Sequence, residues 1–391
     1  MNTEKKKRVL EVITLTDSAV AFIGDQFSYF QQEGNYEMHL ICSLDDKLDA
    51  FANRQGIKYC PVEISRTFSV KADIKAIFAI RKYIKENKID IVVAHYFPKA
   101  CFLTILACLF LGVKHKVIIA HGVLHDTMHG LLRKAVIWEQ KWDVWHADKV
   151  VCVSPSVARR RREDGIEKAK KQTILGMGSC NGVDTINKFN PSNVTKEEIS
   201  CLREKYGLDE DTFVIGFNGR LVHDKGVNEL VAAYKDLLNE HPDRKIKLLV
   251  IGEPETRDAL PQETIDFLET SKDIVFTGWV QYADIQKYYM LMDMLVLPSY
   301  REGFPTVILE AGAMGVPVAV SKSTGCIDSI KDGVTGIYID INSNSIKQGI
   351  EKYFDEDFRL RIGKQARVYV VKNFDQRIIR KYMLDVLNSL D

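Results

Sequence analysis

Hydrophobic and polar positions alternate between short apolar runs, which are typical of strands, and longer segments with helical spacing. In the first half, the predicted strands are residues 8–16, 36–43, 89–94, 116–120 and 149–153, and the predicted helices are 22–32, 48–55 and 100–111. The second half repeats the pattern, with strands at 212–218, 247–251, 274–277, 294–298, 318–321 and 336–339 and a helix at 227–238. This pattern predicts parallel sheets covered by helices on both faces.

The repetition of this pattern within 391 residues predicts an α/β protein with two doubly wound, Rossmann-like domains. Turn-forming residues between Gly176 and Asn193 indicate a linker, which places the domains at residues 1–183 and 184–375. Domains of this type bind ligands at the carboxyl ends of their strands, so we expect the ligand site in the cleft between them.

Composition narrows the class of protein further. The chain is 46% hydrophobic and 27% charged, which excludes a disordered or low-complexity protein. Its longest apolar run, residues 100–113, is shorter than the ~20 residues that a membrane-spanning helix needs. The N-terminal residues contain no apolar signal core, and the eight cysteines form no CxxC pair. We therefore expect a cytoplasmic protein with free thiols.

Charge is unevenly distributed along the chain. Residues 1–190 carry a net charge of +8, and the remaining residues carry −7. Basic segments at 71–85 and 159–162 fit an anionic partner, and we favour the lipid headgroups of a membrane surface. Nucleic acid is disfavoured, because no nucleic-acid-binding motif accompanies the charge. A solvated basic face with no partner is the alternative.

The stretch from Leu297 to Gly312 places two carboxylates and a glycine turn after a predicted strand. Pro305 suits the first turn of the following helix, because its missing N–H costs nothing there. The backbone amides from Gly303 onward would then point out of the strand end towards phosphate or sugar oxygens. Glu302 and Glu310 could accept hydrogen bonds from hydroxyls at different parts of one extended ligand.

A second polar segment, residues 217–226, follows the first predicted strand of the second domain. In this segment Gly219 and Gly226 bracket Arg220 and Lys225, so that backbone and two cations converge on one strand-to-helix turn. Two fixed positive charges there could neutralise a diphosphate without a metal ion.

Together these segments resemble the family 4 retaining glycosyltransferases with the GT-B fold, especially members that extend polyprenyl-diphosphate-linked sugars. The resemblance rests on the GR…KG loop of residues 219–226, the EGFP…E spacing from Glu302 to Glu310, the NGVD sequence at 181–184, and Gly325 with Asp328. It is dense in the second domain and limited to the strand–helix pattern in the first. The GT-B fold implies two Rossmann-like domains facing across a cleft. It also implies that residues 376–391 form a C-terminal helix packed back onto the first domain.

The resemblance also implies a role for each matching residue. Arg220 and Lys225 would bind the diphosphate of a nucleotide sugar, and Glu310 would hold the ribose hydroxyls. Glu302 would orient the donor sugar, and His121 in the first domain would lie beside the transferred sugar. The implied catalytic residues are His121, Arg220, Lys225 and Glu302. The implied donor-binding residues are Gly219, Arg220, Lys225, Gly278, Val280, Glu302, Gly303, Phe304, Pro305 and Glu310.

The family mechanism implies that the acceptor attacks from the face that the leaving group departs from, while the donor phosphate takes the proton. The anomeric configuration is then retained, and no metal ion or cofactor is expected. Two departures from the family pattern concern the acceptor side. Asp328 stands where a glutamate is usual, and the loop at residues 16–21 lacks the usual paired glycines.

We therefore predict a transferase that moves a hexose or N-acetylhexosamine from a nucleotide-diphosphate sugar, expected to be a UDP-sugar. The expected acceptor is a polyprenyl-diphosphate-linked glycan in surface polysaccharide biosynthesis. A sugar-nucleotide epimerase of the same fold is the leading alternative, and a non-catalytic assembly subunit is another.

Three further patterns favour structural explanations. The histidines at 121, 125 and 129 have the spacing of metal ligands on a helix, but flanking glycines favour a loop. The acidic triplets at 209–211 and 355–357 match a metal-binding DxD pattern, yet neither follows an apolar strand, so we interpret them as charged turns. The tryptophans at 138, 142 and 145 share one helix face, which we expect to pack in the core.

Overall fold

The computed structural model describes residues 6–64 and 69–390. Residues 1–5, part of the segment inspected for a signal sequence, lie outside the described residues. The chain divides into two compact units. The first contains the residues up to Asn181 together with the segment from Ile378 to the C-terminus, and the second is Gly182–Arg377.

The first unit is built on a parallel sheet. Its strands in the described part of the chain are β1 (Lys7–Val12), β2 (Tyr36–Cys42), β3 (Lys58–Pro61), β4 (Ile91–His95), β5 (His115–Ala120), β6 (Lys149–Cys152) and β7 (Gln172–Ile174). The spatial order is β3-β2-β1-β4-β5-β6-β7. Its first helices are α1 (Thr16–Phe22), α2 (Gln26–Glu33), α3 (Leu48–Gln55), α4 (Val70–Asn87), α5 (Pro98–Cys108), α6 (Gly130–His146) and α7 (Pro155–Glu163). The central strands β1, β4 and β5 are almost continuously buried, as expected for a sheet covered on both faces.

The second unit repeats this architecture with a smaller sheet. Its strands are β8 (Phe213–Asn218), β9 (Ile246–Ile251), β10 (Ile274–Gly278), β11 (Met294–Leu297), β12 (Val318–Ser321) and β13 (Ile337–Ile339), in the parallel order β10-β9-β8-β11-β12-β13. Its helices are α8 (Lys196–Lys205), α9 (Val227–Glu240), α10 (Gln262–Thr270), α11 (Ile285–Tyr289), α12 (Thr306–Ala313), α13 (Ser343–Lys352) and α14 (Glu356–Phe374). The two parallel sheets confirm the predicted α/β class.

The last helix, α15 (Gln376–Asn388), lies against the first unit. The Tyr36 hydroxyl donates a hydrogen bond to the Asn388 side chain at 2.8 Å, and the Lys149 ammonium donates to the Ser389 hydroxyl at 3.2 Å. The helix buries Ile379 and Met383 on one face, together with other apolar residues. This apolar face explains why the segment docks rather than trailing into solvent.

Several element boundaries differ from the sequence-based prediction. The helix predicted at 22–32 begins only at Gln26 as α2, after a turn in which Gly24 adopts a left-handed conformation with φ of +54°. Helix α1 forms where a loop was expected at residues 16–21. The short edge strands β3 and β7 were not predicted. The apolar run at 100–113 overlaps α5, and no helix within the described residues has both the length and the hydrophobicity to cross a bilayer.

Candidate active site

The candidate site of the second unit lies where β8 and β11 end. These strands are neighbours in the sheet, although the chain visits β9 and β10 between them. The order of strands reverses here, which is the point where open α/β sheets bind ligands. The loop after β8 ends at Gly226, whose φ is +69°. A Cβ atom at Gly226 would lie 2.1 Å from the carbonyl oxygen of Pro298, so only glycine allows this close approach to the end of β11.

A lysine and a glutamate meet at this junction. The Lys225 ammonium contacts Oε1 of Glu302, and both side chains are largely shielded from solvent. The Ser299 hydroxyl donates to the same carboxylate oxygen at 2.9 Å. The Glu302 amide donates to the carbonyl of Thr324 at 3.0 Å, and Gly325 packs so closely that a Cβ would lie 2.4 Å from the Glu302 carbonyl oxygen. The loop after β12 therefore fixes the backbone of Glu302.

A second set of contacts joins the loops after β8 and β11. The Arg301 guanidinium pairs with the Asp224 carboxylate, and the Tyr300 amide donates to the Asp224 carbonyl at 2.9 Å. The Tyr300 hydroxyl donates to Glu229 on α9 at 2.8 Å. These bonds hold the two loops together next to the Lys225–Glu302 pair.

Glu310 lies on α12, buried at the same end of the sheet. Its Oε2 accepts a hydrogen bond from the Tyr289 hydroxyl at 2.7 Å, and that hydroxyl accepts one from the Asn218 amide at 2.8 Å. Burial raises the pKa of Glu310, while the Tyr289 hydrogen bond and the charge of Lys188 oppose the shift. This carboxylate is held in place by the last residue of β8 and by α11.

The turn before α12 contains Gly303, Phe304 and Pro305. The helix begins at Thr306, so Pro305 occupies the N-cap position, just before the first turn in which it was predicted. The ring of Phe304 packs against Phe374, with centroids 5.3 Å apart. The first-turn amides of any helix have no acceptor within the helix, so this turn presents donors beside the end of β11.

Arg220, which the sequence analysis placed with Lys225 at one diphosphate site, lies apart from the Lys225–Glu302 pair. Its side chain is 59% exposed and pairs with Glu255 at 2.8 Å. The two predicted diphosphate ligands therefore bind different carboxylates. Gly219, which precedes Arg220, donates its amide to the Ile251 carbonyl at 3.0 Å and ties this loop to the end of β9.

The end of β10 carries Gly278 and Val280, two of the residues that the resemblance implies for donor binding. The Gly278 carbonyl accepts a hydrogen bond from the Gly252 amide at 3.0 Å, which ties β10 to the end of β9. Trp279 and Val280 follow, and both line an open groove of about 670 Å³ between α8 and the segment that leads into α11. The exposed indole of Trp279 provides an aromatic surface there.

Lys188 was missed by the sequence reasoning. Its ammonium contacts the Tyr282 carbonyl and lies 2.9 Å from the centroid of the Tyr282 ring. Burial lowers the pKa of Lys188 to about 8, and the negative charge of Glu310 opposes this shift. A single lysine in a polar loop gives no sequence signal, because its proximity to Glu310 arises only from folding.

In the first unit, His121 is the end of a buried hydrogen-bonded series. Nδ1 of His95 lies 2.9 Å from Nε2 of His121, and Nε2 of His95 lies 2.7 Å from Oε2 of Glu11. Glu11 and His95 are almost completely buried. The rings of Phe22 and Phe97 pack against His121, with centroids 4.2 and 5.8 Å away. Burial lowers the pKa of His121 well below its usual value, and the charge of His95 acts in the same direction.

Sequence reasoning identified His121 but missed its two partners. A glutamate inside the apolar strand β1 and a histidine at the end of β4 were visible signals. Only the register of β1, β4 and β5, which are adjacent in the sheet, brings these side chains together.

The histidine and acidic patterns have structural explanations in the described residues. His125 lies in a 3₁₀ turn, where its ring contacts Asp164 at 2.8 Å and Gln140 at 2.9 Å. His121 and His129 lie outside this turn, so the predicted loop is observed rather than a helix that stacks three imidazoles. The triplet at 209–211 pairs with Lys245, and the triplet at 355–357 begins α14.

One prediction about burial was wrong. The tryptophan stripe is not a core stripe, because Trp138 and Trp145 are exposed and Trp142 alone of the three packs against the buried cluster. The basic run at 159–162 does not lie wholly at the surface. Arg161 is fully buried and pairs with Glu167 at 2.8 Å.

Two family models match the chain. Residues 26–185 match the model described as Glycosyltransferase Family 4, and residues 199–369 match the one described as Glycosyl transferases group 1. Each match falls largely on one of the two parallel-sheet units. The chain therefore belongs to the glycosyltransferases of the GT-B fold, as its motifs had predicted.

Two glycosyltransferases resemble the chain over most of its length. It is 28% identical over 388 residues to the capsular polysaccharide biosynthesis glycosyltransferase CapM of Staphylococcus aureus, covering 98% of each chain. It is 26% identical over 342 residues to the UDP-Gal:alpha-D-GlcNAc-diphosphoundecaprenol alpha-1,3-galactosyltransferase of Escherichia coli, covering 87% of this chain and 86% of the relative. These relatives are transferases, so the epimerase alternative is not favoured.

A solved structure shares the fold. The Anabaena protein Alr3699/HepE in complex with UDP-glucose superimposes with a TM-score of 0.79 at 18% identity, covering 98% of this chain and 99% of the other. At this level of identity the likeness establishes the two-domain GT-B architecture.

Proposed function

We propose that this glycosyltransferase transfers a hexose or N-acetylhexosamine from a UDP-sugar to a polyprenyl-diphosphate-linked glycan, with retention of configuration and without a bound metal ion. The observation that carries the proposal is the pairing of Lys225 with Glu302 where β8 and β11 diverge. The buried carboxylate of Glu310 supports it from the same end of the sheet.

The leaving group of this reaction is a nucleoside diphosphate, whose negative charge grows as the glycosidic bond breaks. A fixed ammonium stabilises that charge best when it is shielded from water. Lys225 meets this condition, whereas the exposed Arg220 would have to leave Glu255 before it could contribute. We therefore assign the main electrostatic role to Lys225 and a secondary one to Arg220.

The two carboxylates would recognise hydroxyls. Oε2 of Glu310 accepts from Tyr289, so its other oxygen would accept from the ribose. Glu302 would orient the donor sugar once the diphosphate has drawn Lys225 towards itself. The turn at Gly303, Phe304 and Pro305 would direct backbone amides at the diphosphate.

The donor can be identified with a thermal-shift screen of UDP, UDP-glucose, UDP-galactose and their N-acetyl forms, because ligand affinity appears directly as stabilisation. Transfer is then measured with a synthetic lipid-diphosphate-linked sugar. We expect Lys225→Ala to lower transfer by at least about a hundredfold, the typical loss on removing one transition-state charge contact. Lys235→Ala, which removes a surface ion pair of the same unit, should leave the rate unchanged.

Three results would contradict parts of the proposal. Unchanged turnover in Lys225→Ala would exclude the diphosphate site. Conversion of the UDP-sugar without an acceptor would identify an epimerase. An inverted anomeric centre in the product, seen by NMR, or loss of activity in EDTA that added divalent metal restores, would refute the retaining, metal-independent mechanism.

We further propose that the first unit binds an anionic membrane surface through one face of α4. Lys71, Ile74, Lys75, Phe78 and Lys82 are all exposed and recur at helical spacing on that face. Ile74 and Phe78 could insert between lipid headgroups, because the flanking lysines would pair with the negative charges of those headgroups. A membrane surface is also where a polyprenyl-linked acceptor would be found.

Phe110 extends this face. It is 98% exposed and follows Leu109, whose carbonyl accepts a hydrogen bond from Arg81 of α4 at 2.8 Å. A phenylalanine fully exposed beside a basic helix has no role in the core of the unit. Both aromatic side chains would gain free energy by entering a lipid interface.

Sedimentation with vesicles that contain phosphatidylglycerol tests this surface. We expect Phe78→Ser combined with Phe110→Ser to weaken binding by at least about tenfold, since burying one such side chain is worth about 1.5–3 kcal/mol. Leu360→Ser, an exposed apolar position of the second unit, is the matched control. Equal binding by the wild type and the double variant would refute this surface.

A further inference from the structure

Three adjacent parallel strands of the first unit end in the series of side chains that contains His121. Glu11 lies near the end of β1, His95 is the last residue of β4, and His121 follows β5. The strand order of this sheet reverses between β1 and β4, so the series begins at the position where such sheets bind ligands. Its three members are linked at 2.7 and 2.9 Å.

When Glu11 is ionised and His95 carries a single ring proton, the series assigns each ring proton by elimination. An ionised carboxylate can only accept hydrogen bonds, so Nε2 of His95 carries the proton that Glu11 receives. A neutral His95 then has a lone pair on Nδ1. Its contact with Nε2 of His121 is a hydrogen bond only if His121 donates.

We propose that Glu11 and His95 are positioning residues that hold His121 in the Nε2–H tautomer, leaving its Nδ1 lone pair to accept a hydrogen bond from a hydroxyl of the bound sugar. The tautomer follows from the contacts together with an ionised Glu11 and a singly protonated His95, and the hydroxyl partner rests on the proposed function. Burial keeps the His121 ring neutral, which is the state that this arrangement requires.

The arrangement has a chemical consequence for the sugar. A neutral acceptor nitrogen attracts a hydroxyl hydrogen and disfavours groups that offer only a lone pair. The flanking rings of Phe22 and Phe97 restrict rotation of the imidazole, so its accepting atom keeps one direction. A sugar that lacks the matching hydroxyl should therefore be a poorer donor.

The test is ¹⁵N NMR of the full-length protein labelled at histidine, with signals assigned through His95→Gln and His121→Gln. We expect His121 in the wild type to be protonated at Nε2 and bare at Nδ1. Glu11→Leu should abolish this preference and lower kcat/KM by about tenfold, the value of one hydrogen bond. Glu11→Gln still offers a carbonyl acceptor and should retain the tautomer and most of the rate. Glu33→Leu, at an exposed position of the same unit, is the control.

A wild-type His121 protonated at Nδ1 would overturn the proposal, and this measurement does not depend on the folding of Glu11→Leu. Retention of the tautomer in a folded Glu11→Leu protein would overturn the role of Glu11. If no sugar transfer is found with any donor, the proposed function fails while the NMR result still decides the tautomer. If transfer occurs but the His121 tautomer is the opposite one, only this inference fails.

Discussion

A buried pair of carboxyl groups on α6 makes the stability of the first unit depend on pH. Asp143 is fully buried, and burial together with the neighbouring Glu139 raises the pKa of Asp143 from 3.8 to about 8. Burial also raises the pKa of Glu139 to about 7. Both groups are therefore protonated in the folded unit at pH values where the unfolded chain has already released its protons.

The sign and size of the pH dependence of unfolding follow from this difference in bound protons. Between about pH 5 and 8, the folded state holds one proton on Asp143 that the unfolded state lacks, so unfolding becomes easier as pH rises. One such proton changes the free energy of unfolding by about 1.4 kcal/mol per pH unit. Asp143→Asn resembles the protonated form and removes this dependence. Relative to the wild type, the variant should gain about 3 kcal/mol between pH 5.5 and 7.5.

Urea denaturation followed by tryptophan fluorescence measures this directly. Trp138, Trp142 and Trp145 all lie on α6, so three of the four tryptophans report on the first unit. Asp46→Asn, an exposed position in the same unit, is the control and should track the wild type at every pH. A constant difference between Asp143→Asn and the wild type across this range would show that Asp143 is already ionised in the folded protein.

Three other outcomes follow from the structure. Gly226→Ala should destabilise the second unit and weaken UDP binding far more than Gly207→Ala. Both glycines have a left-handed φ, but a Cβ meets a carbonyl only at Gly226, so equal effects in denaturation and UDP titration would discount the clash. Tyr289→Phe removes a hydrogen bond that lowers the pKa of Glu310. UDP affinity should therefore begin to fall at a higher pH on acidification than in the wild type, and an unchanged pH profile in calorimetric titration would contradict this. Among the eight cysteines, Cys201 is the exposed one and should react first with a thiol reagent. Cys201→Ser should abolish this fast phase of the reaction, and its persistence would show another accessible thiol.

The sequence predicted the central parts of both sheets well, because their strands are apolar on both faces and bounded by turns. The prediction missed the strands at the edges of the first sheet. Strand β3 reads Lys58–Pro61 and β7 reads Gln172–Ile174, and both are too short and too polar to stand out from loops. Their pairing depends on the neighbouring strand rather than on their own composition.

Sequence patterns located the residues of the candidate site but not their partners. Glu302 and Lys225 stand 77 positions apart, and their contact depends on two loops meeting at the ends of adjacent strands. Arg220 lies in the same short loop as Lys225, yet its side chain pairs with Glu255. Chain spacing predicts which residues share a loop, whereas side-chain direction is decided by tertiary packing.

The same limit explains the error in the tryptophan stripe. Helical spacing correctly placed the tryptophans of α6 on related faces, but spacing cannot say what covers a face. Trp142 packs beside Phe102 of α5, while Trp138 and Trp145 remain at the surface. An amphipathic pattern indicates where apolar groups collect, and whether protein, lipid or water meets them depends on the neighbouring elements.

The contact between Lys225 and Glu302 also bears on discrimination against small anions. Inorganic phosphate would have to separate the two groups and would place its own negative charge close to the displaced carboxylate. A nucleotide sugar offers a diphosphate to the Lys225 ammonium and hydroxyl groups to the Glu302 carboxylate. Both side chains therefore gain new partners when their contact is broken. A site whose ammonium is already paired in this way should bind free phosphate weakly and favour a ligand that satisfies both partners.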